Sequence, residues 1–466
     1  MKYSPYPSYK PSGVAWLGDV PAGWEVKRLK TTANTRTSNV DKVPSEDELP
    51  VRLCNYTDVY YNDHIHPGLE LMETTATAEE IQRFRLHLGD VVITKDSEEW
   101  DDIAVPALVR ETTPDLVCGY HLAIIRPNLR KLLGAFLFRS LQSSAVNHQF
   151  QIAATGVTRY GLPKSAIGEA LLPLPPIDEQ RAIADFLDRQ TGRIDTLIAK
   201  RRALIERLKE KRSALISRTV TRGLPPAAAR AAGLDPHPPL KPSGVEWLGD
   251  VPEHWGVAKV KLLEGNDQSV VQTGPFGAQL HASDYVDEGV PLILIRNVND
   301  FKIDDTEIPR ISEEDASRLA MYRLQTGDLV FSRVGSVGRI ALCTEKEDGW
   351  LISGQMLRLR LRNPQINRRY ALYILGSEAG LTFVELQSVG STRESINTDI
   401  LRNIPILIPP LPEQRAIADF LDRQTAKIDR LVSLEEAVID RLQEYRSALI
   451  TAAVTGKIDV RERAEV

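Results

Sequence analysis

Cysteine is scarce in this chain. Cys54, Cys118 and Cys343 stand far apart among 466 residues, with no CxxC pair, which argues against a disulfide framework or a cysteine-based zinc site and makes a reducing cytoplasm the expected setting. Long apolar runs are missing as well. No stretch of eighteen apolar residues occurs, so no membrane span is expected. The opening MKYSPYPSYKPSG has no apolar segment behind Lys2 and does not read as a signal peptide. Nor is there an excess of positive charge: 58 Lys and Arg face 63 Asp and Glu, a net of −5. That balance weighs only slightly against a nucleic-acid binder, because phosphate binding depends on where the cations cluster and not on their total.

Catalytic signatures are absent too. Thr455-Gly456-Lys457 lacks the earlier glycine of a phosphate-binding loop. No Asn-Pro-Pro-aromatic tetrapeptide serves amino-methyl transfer to a base, and no glycine fingerprint follows a strand to hold a methyl donor. His64-Ile65-His66 has ligand spacing but no evident third ligand. The acidic stretch Asp96 to Asp102 lacks the Glu-x-Lys that a nuclease centre would add downstream. No catalytic residue and no metal ligand is assigned; the chain reads as a binder and positioner.

What the chain does contain is itself, twice. Glu179 to Thr191, EQRAIADFLDRQT, returns unchanged as Glu413 to Thr425, thirteen residues repeated 234 positions later. Pro11 to Lys30, PSGVAWLGDVPAGWEVKRLK, returns as Pro242 to Lys261 with thirteen of twenty positions alike, Trp16/Trp247 and Trp24/Trp255 among them. These openings are loops rich in turn formers, leading to strands at Val26 and Val257, and their tryptophans read as packing anchors. Between the repeated parts lie two bodies, residues 31–170 and 262–405, which agree much less. Both alternate short apolar strands with polar loops, and both deliver one strand from a Gly-Asp turn: Gly89-Asp90 before VVIT and Gly327-Asp328 before LVFS. Each ends in a β-prone run that turns proline-rich, ALLPLPP and IPILIPP.

A long helix is expected after each proline run. Asp178 is placed to cap the first, Pro412 to start the second, and Thr191-Gly192 is a weak point where the first is expected to kink. Ile183, Phe186, Leu187, Ile194, Leu197 and Ile198 fall at three- and four-residue steps, making one apolar face that continues through Leu204, Ile205, Leu208 and Leu215. The second copy carries Ile417, Phe420, Leu421, Ile428, Leu431, Val438, Ile439, Leu442 and Leu449. From Ile194 to Arg222 nine cations face three anions, whereas from Ile428 to Gly456 three cations face five anions. A basic and an acidic helix with matching stripes favour pairing with each other. Antiparallel pairing centred on Ile205 and Ile439 would set Lys200 opposite Glu444 and Lys209 opposite Glu435. Ile194 to Ile216 spans roughly 35 Å, close to the ~34–36 Å between half-sites on duplex DNA.

The duplicated PSGxxWLGDVPxxW openings, the two PPxxEQRAIADFLD helix entrances, the IDTLI and RSALI elements and the Gly-Asp strand turns together resemble the specificity subunits of type I restriction–modification systems, over Pro11 to about Asp459. The resemblance implies an α+β chain of two globular target recognition domains joined by two long antiparallel coiled-coil helices, a tandem repeat with pseudo-two-fold symmetry. The segments would be a first recognition domain (1–170), a first spacer helix (171–223), a proline-rich connector (224–241), a second recognition domain (242–405), a second spacer helix (406–457) and a polar tail (458–466). It implies a non-catalytic subunit that binds an asymmetric, bipartite double-stranded DNA sequence and docks two modification subunits. Restriction subunits would join them, with S-adenosylmethionine, ATP and Mg held by those partners. Dissimilar bodies then mean a non-palindromic target.

Within that reading, the expected DNA contacts of the second body are Arg333, Ser336 and Arg339 in SRVGSVGR, with Arg296, Gln355 and Arg393, since Arg forks onto guanine or phosphate and glycine lets backbone approach phosphate. In the first body they are Lys95, Ser97, Thr158, Arg159 and Tyr160. The acidic run Glu98 to Asp102 either accepts from cytosine amino groups or faces solvent. The spacer and subunit interface is expected at Ile183, Phe186, Leu187, Ile194 and Leu208 and at Ile417, Phe420, Leu421, Ile428 and Leu442, with identity between the copies marking the face shown to partners and to each other. Two rivals are a methyltransferase with degenerate motifs and a coiled-coil adaptor that binds no DNA.

Overall fold

The computed structural model describes residues 3–263, 271–275, 279–299, 301–334, 338–388 and 395–461. The fold is α+β, short strands with two long helices. Internal contacts divide the chain into two units, Met1–Arg202 with Glu436–Val466, and Ala203–Glu435. Each unit thus takes one body and one half of each long helix.

In the first unit, Val91–Thr94 is buried along its whole length. It is the middle strand of a five-stranded sheet ordered Ala33–Thr37, Leu122–Pro127, Val91–Thr94, Pro106–Val109, His64–Ile65. A strand covered on both faces needs a continuous apolar run and not an alternating one. All pairings are antiparallel except that of His64–Ile65. A three-stranded sheet, Leu116–Cys118, Leu49–Cys54 and Met72–Ala76, shares its core through Leu53, Ile65, Phe84, Val92 and Ile124. The second unit repeats the device. Leu329–Ser332, also wholly buried, lies in a sheet ordered Val271–Thr273, Met356–Leu359, Leu329–Ser332, Ile340–Leu342. A second sheet there is ordered Tyr285–Val286, Arg310–Ile311, Val290–Ile293, Leu351–Ile352.

The proline-rich runs have partners. Leu171–Leu174 pairs antiparallel with Glu25–Arg28, and Pro405–Ile408 with Gly256–Lys259. Each opening segment is thereby stitched to the run that enters a long helix. A two-stranded ribbon leaves one edge of each strand unpaired, which is where proline is tolerated.

The helices span Ile177–Arg222, 46 residues, and Leu411–Val454, 44 residues. The first begins earlier than expected: the Pro176 carbonyl accepts from the N–H groups of Glu179 and Gln180 at 3.0 and 2.9 Å, so Asp178 lies inside the first turn and does not cap it. Pro412 likewise takes the second helical position. The helix runs unbroken through Gly192, whose carbonyl also accepts from the Thr196 hydroxyl at 2.7 Å. Gly223 (φ +84°) and Gly456 (φ +72°) follow the two helix ends, the left-handed position that favours glycine. A methyl group at Gly456 would meet the Pro21 ring at 2.3 Å, so packing demands glycine there as well. The connector holds a short helix, Pro226–Ala231, that its proline content hid.

The helices run antiparallel. In the first unit Arg446 Nε donates to Asp195 Oδ1 at 2.9 Å, and in the second Arg212 Nε donates to Asp429 Oδ1 at 2.9 Å. The expected register would instead face Asp195 with Leu449 and Arg212 with Val432, three positions away in each case. Lys209 meets Glu206 on its own helix at 3.1 Å. One of the two cross-helix pairs also puts the cation on the acidic helix. The overall charge balance therefore does not predict the register. Ile194, Ile198, Ile205, Ile216, Ile428, Ile439 and Leu449 are buried, whereas Leu197, Leu204 and Leu431 are exposed by 45, 38 and 48%. The buried seam is narrower than the apolar pattern.

Candidate nucleic-acid interface

The Gly-Asp turns form the frame beneath both candidate surfaces. Gly89 and Gly327 adopt φ of +84° and +89°, which turns the chain sharply into the central strand. The aspartate that follows is buried in each copy. Asp90 accepts from the His87 N–H at 2.8 Å and from the Arg126 fork at 2.8 and 2.7 Å. Asp328 accepts from the Gln325 N–H at 2.8 Å and from Arg360 at 2.8 and 2.6 Å. These are bidentate, charge-assisted pairs that hold turn to sheet. Arg126 and Arg360 went unnoticed in the sequence, because each lies more than thirty residues from its aspartate and only strand pairing brings them together.

The thirteen-residue repeat also works inward. Gln180 is fully buried; its Oε1 accepts from the Leu133 N–H at 2.9 Å, and its Nε2 donates to the carbonyls of Lys131 and Pro175, both at 2.9 Å. Gln414 does the same with the Asn367 N–H and the carbonyls of Gln365 and Pro409 at 2.8, 2.9 and 2.8 Å. Asp188 receives Arg139 at 2.8 Å and also binds Arg110. Burial alone would raise its pKa, but the two guanidinium groups hold it below the usual carboxylate range. Asp422 receives Arg369 and, at 2.7 Å, the Tyr373 hydroxyl. Ile417 and Leu421 belong to the core of the second unit, with Phe420 packed against it, while Phe186 meets Tyr3 edge-on at 5.4 Å. Ile183, Leu187, Ile194 and Ile428 are buried; Leu208 and Leu442 are half-buried. Much of the repeated identity therefore fixes each body to its helix, a use that the reading of a face shown to partners and to each other did not include. The exposed positions are Arg181, Asp185 and Arg189 and their copies Arg415, Asp419 and Arg423.

The openings close the helix ends. Trp24 and Trp255 are fully buried, whereas Trp16 and Trp247 are half-buried. Trp24 Nε1 donates to Glu179 at 3.0 Å. In the second unit His254 bonds the matching Glu413 at 2.8 Å, and Trp255 Nε1 has no hydrogen-bond partner.

In the first unit the expected contacts gather on one ribbon, Asp96–Ser97 paired with Tyr160–Gly161 in the register Tyr160↔Ser97. The Lys95 N–H donates to His121 O at 3.1 Å and its carbonyl accepts from Leu162 N–H at 2.8 Å, so the ribbon is fixed from both sides. Thr158 and Arg159 are exposed in the turn before it, and Tyr160 is half-buried. Lys95 is drawn to Asp96 at 3.7 Å, and His121 Nδ1 lies 2.7 Å from the same carboxylate. Ser97 is buried, its hydroxyl accepting from the Glu99 N–H at 3.2 Å. Of the acidic run, Asp102 is engaged: it accepts from the Tyr60 hydroxyl at 2.6 Å, and that bond, with burial, pushes the Tyr60 phenol up to about 12. Tyr60 stacks on Tyr56 at 5.5 Å.

In the second unit Arg296, Arg333 and Gln355 line one cleft of about 790 Å³. Arg339 is outside its lining and donates to Asn299 Oδ1 at 2.7 Å. Ser336 and Arg393 lie outside the described residues. His64 and His66 serve local structure. His64 faces Phe138 at 5.5 Å, with burial lowering its pKa. His66 Nδ1 accepts from the Gly68 N–H at 3.2 Å. Among the described residues no group of three or more His, Cys, Asp or Glu is placed to hold a metal ion, and no helix is long and apolar enough to cross a membrane.

Residues 284–443 match the family model described as the type I restriction modification DNA specificity domain. The MjaVIII type I specificity subunit of Methanocaldococcus jannaschii is 24% identical over 330 residues, 70% of each chain. The relative designated the MjaX specificity subunit of the same organism is 22% identical over 453 residues, 96% of each. The chain is thus similar to type I specificity subunits over nearly its whole length. A solved chain from work on complex assembly and conformational transition of the type I R–M system shares the fold, with a TM-score of 0.65 at 18% identity, covering 94% of this chain and 99% of that one.

The relatives are specificity subunits, which are non-catalytic, the catalytic activities lying in other subunits. The similarity speaks against a methyltransferase with worn motifs. The frame residues Asp90, Arg126, Gln180 and their copies are structural supports. The loops above them are the surfaces free to differ.

Proposed function

We propose that this specificity subunit reads an asymmetric, bipartite duplex DNA sequence, one half-site with each unit, and docks two modification subunits. A repeated frame bearing two unlike loop clusters carries the reading. The Asp–Arg turns, the buried glutamines and the tryptophan openings recur. Above them, one unit presents a ribbon with Lys95, Arg159 and Tyr160, and the other a cleft with Arg296, Arg333 and Gln355. Two different half-sites need two different readers, whereas a partner present twice needs the same surface twice. The exposed repeats at Arg181, Asp185 and Arg189 and at Arg415, Asp419 and Arg423 meet that second need.

In this reading residues 1–170 and 242–405 are the recognition domains and 171–223 and 406–457 the spacers. S-adenosylmethionine belongs to the modification subunits, ATP and Mg to the restriction subunits, and the whole acts in the cytoplasm. Binding of the assembled complex to duplex DNA tests it. Each neutralised phosphate adds about −0.9 to the slope of log affinity against log salt, so a steep negative slope is expected, with two protected blocks of bases separated by an unprotected gap. Salt-insensitive binding, or one continuous block, would refute it.

A further inference from the structure

The cleft of the second unit has a composition that selects among bases. Its described lining holds Arg296, Arg333, His281 and Gln355 but no Asp or Glu. Arg296 and Gln355 are held at their backbones and reach outward with their tips. The turn carrying Arg296 is locked by Asn297, whose side chain accepts from the Leu294 N–H and donates to the Asp304 carbonyl, both at 3.0 Å. The exposed Arg296 guanidinium makes one long bond, to the Glu307 carbonyl at 3.3 Å, and so keeps most of its five donors. The Gln355 carbonyl is pinned by the Arg333 N–H at 2.9 Å, and the next residue closes the turn through Met356 N–H to Ser353 O at 3.0 Å. The Gln355 side chain is exposed. Ser353 Oγ, at the wall of the cleft, is buried with no hydrogen-bond partner. Gly274 backs this turn so closely that a methyl group there would sit 2.1 Å from Ser353 O.

A described lining with donors and no carboxylates suits an edge made of acceptors. Guanine is the base whose major-groove edge offers two acceptors side by side, N7 and O6, whereas cytosine and adenine present amino donors. Resting on the reading that the second unit takes one half-site, we infer that this half-site contains a guanine read by the Arg296 fork, with Gln355 beside it on the wall. The ribbon of the first unit differs: Lys95 and His121 there already spend themselves on Asp96.

The test uses the assembled methylating complex and duplexes in which each base pair of the second half-site is replaced in turn. The wild-type complex should methylate the guanine-replaced duplex more slowly by roughly 5- to 150-fold, the range of a bidentate contact. Arg296→Lys should erase most of that discrimination while keeping overall affinity, because lysine retains the charge and loses the fork. Arg296→Ala should lose the discrimination too, with the preference at the first half-site intact in both variants. Two results overturn the inference and leave the wider reading standing: a second half-site with no G·C pair, or variants that slow methylation of every duplex equally, which marks a phosphate contact. A complex without any sequence preference overturns both.

Discussion

Replacing Gln180 or Gln414 with alanine tests whether the repeated run holds each body to its helix. Each glutamine side chain makes three hydrogen bonds from a fully buried position. At about 1 kcal/mol net per bond the loss is about 3 kcal/mol, and more if a freed group stays dry. For a unit of this size that lowers the melting temperature by roughly 6–12 °C. Calorimetry reads the total, and amide hydrogen exchange reads the place. Gln180→Ala should expose the Leu133 N–H to exchange and leave the Asn367 N–H protected, and Gln414→Ala should do the reverse. Arg181→Ala, one residue on but exposed, should change stability by no more than about 0.5 kcal/mol. Gln180→Ala that costs no more than this control, or leaves Leu133 protection unchanged, would refute the reasoning.

Asp90→Asn and Asp328→Asn should each destabilise the chain by about 3 kcal/mol, the lower end of the range for breaking a buried pair, since Arg126 keeps 27% of its side chain in solvent; a denaturation midpoint shifted by the equivalent of less than 1 kcal/mol would contradict this. Acid should weaken the first unit at Asp115, whose pKa the Arg52 hydrogen bond holds at about 2. Because the folded-state pKa lies below the unfolded one, near ~3.9, the stabilisation is complete above about pH 4 and is lost as pH falls toward 2. Comparing acid titrations of wild-type and Arg52→Ala protein checks it: the variant should lose less stability over that window, and parallel curves would contradict the assignment. The carboxylate is partly exposed, so the effect is small.

The sequence disclosed the repeated parts of the fold better than the unlike ones. Buried strands such as Val91–Thr94 were legible because a Gly-Asp turn and a continuous apolar run announce them, and the long helices because their apolar residues recur at helical steps. The partners of those elements were not. Arg126 lies in a strand, and Arg360 directly after one, whose pairing no local pattern states, and the glutamines of the repeat look like surface residues until the body folds against them. Helix register is marked by single ion pairs, Arg446–Asp195 and Arg212–Asp429, which a net-charge argument averages away. For the candidate DNA contacts, residue type placed Lys95, Arg159 and Tyr160 on one ribbon and Arg296, Arg333 and Gln355 around one cleft. It could not foresee that Ser97 turns inward or that Arg339 lies outside the cleft and bonds Asn299, because burial and bonding of a loop side chain depend on distant segments.

The most direct measurement is a map of methylated adenines in cells carrying this chain with its modification partner, repeated after residues 31–170 are exchanged for the matching body of another specificity subunit. Independent readers predict a bipartite, non-palindromic motif of which one half changes and the other stays. A change in both halves, or in neither, would contradict the claim that each unit reads its own half-site.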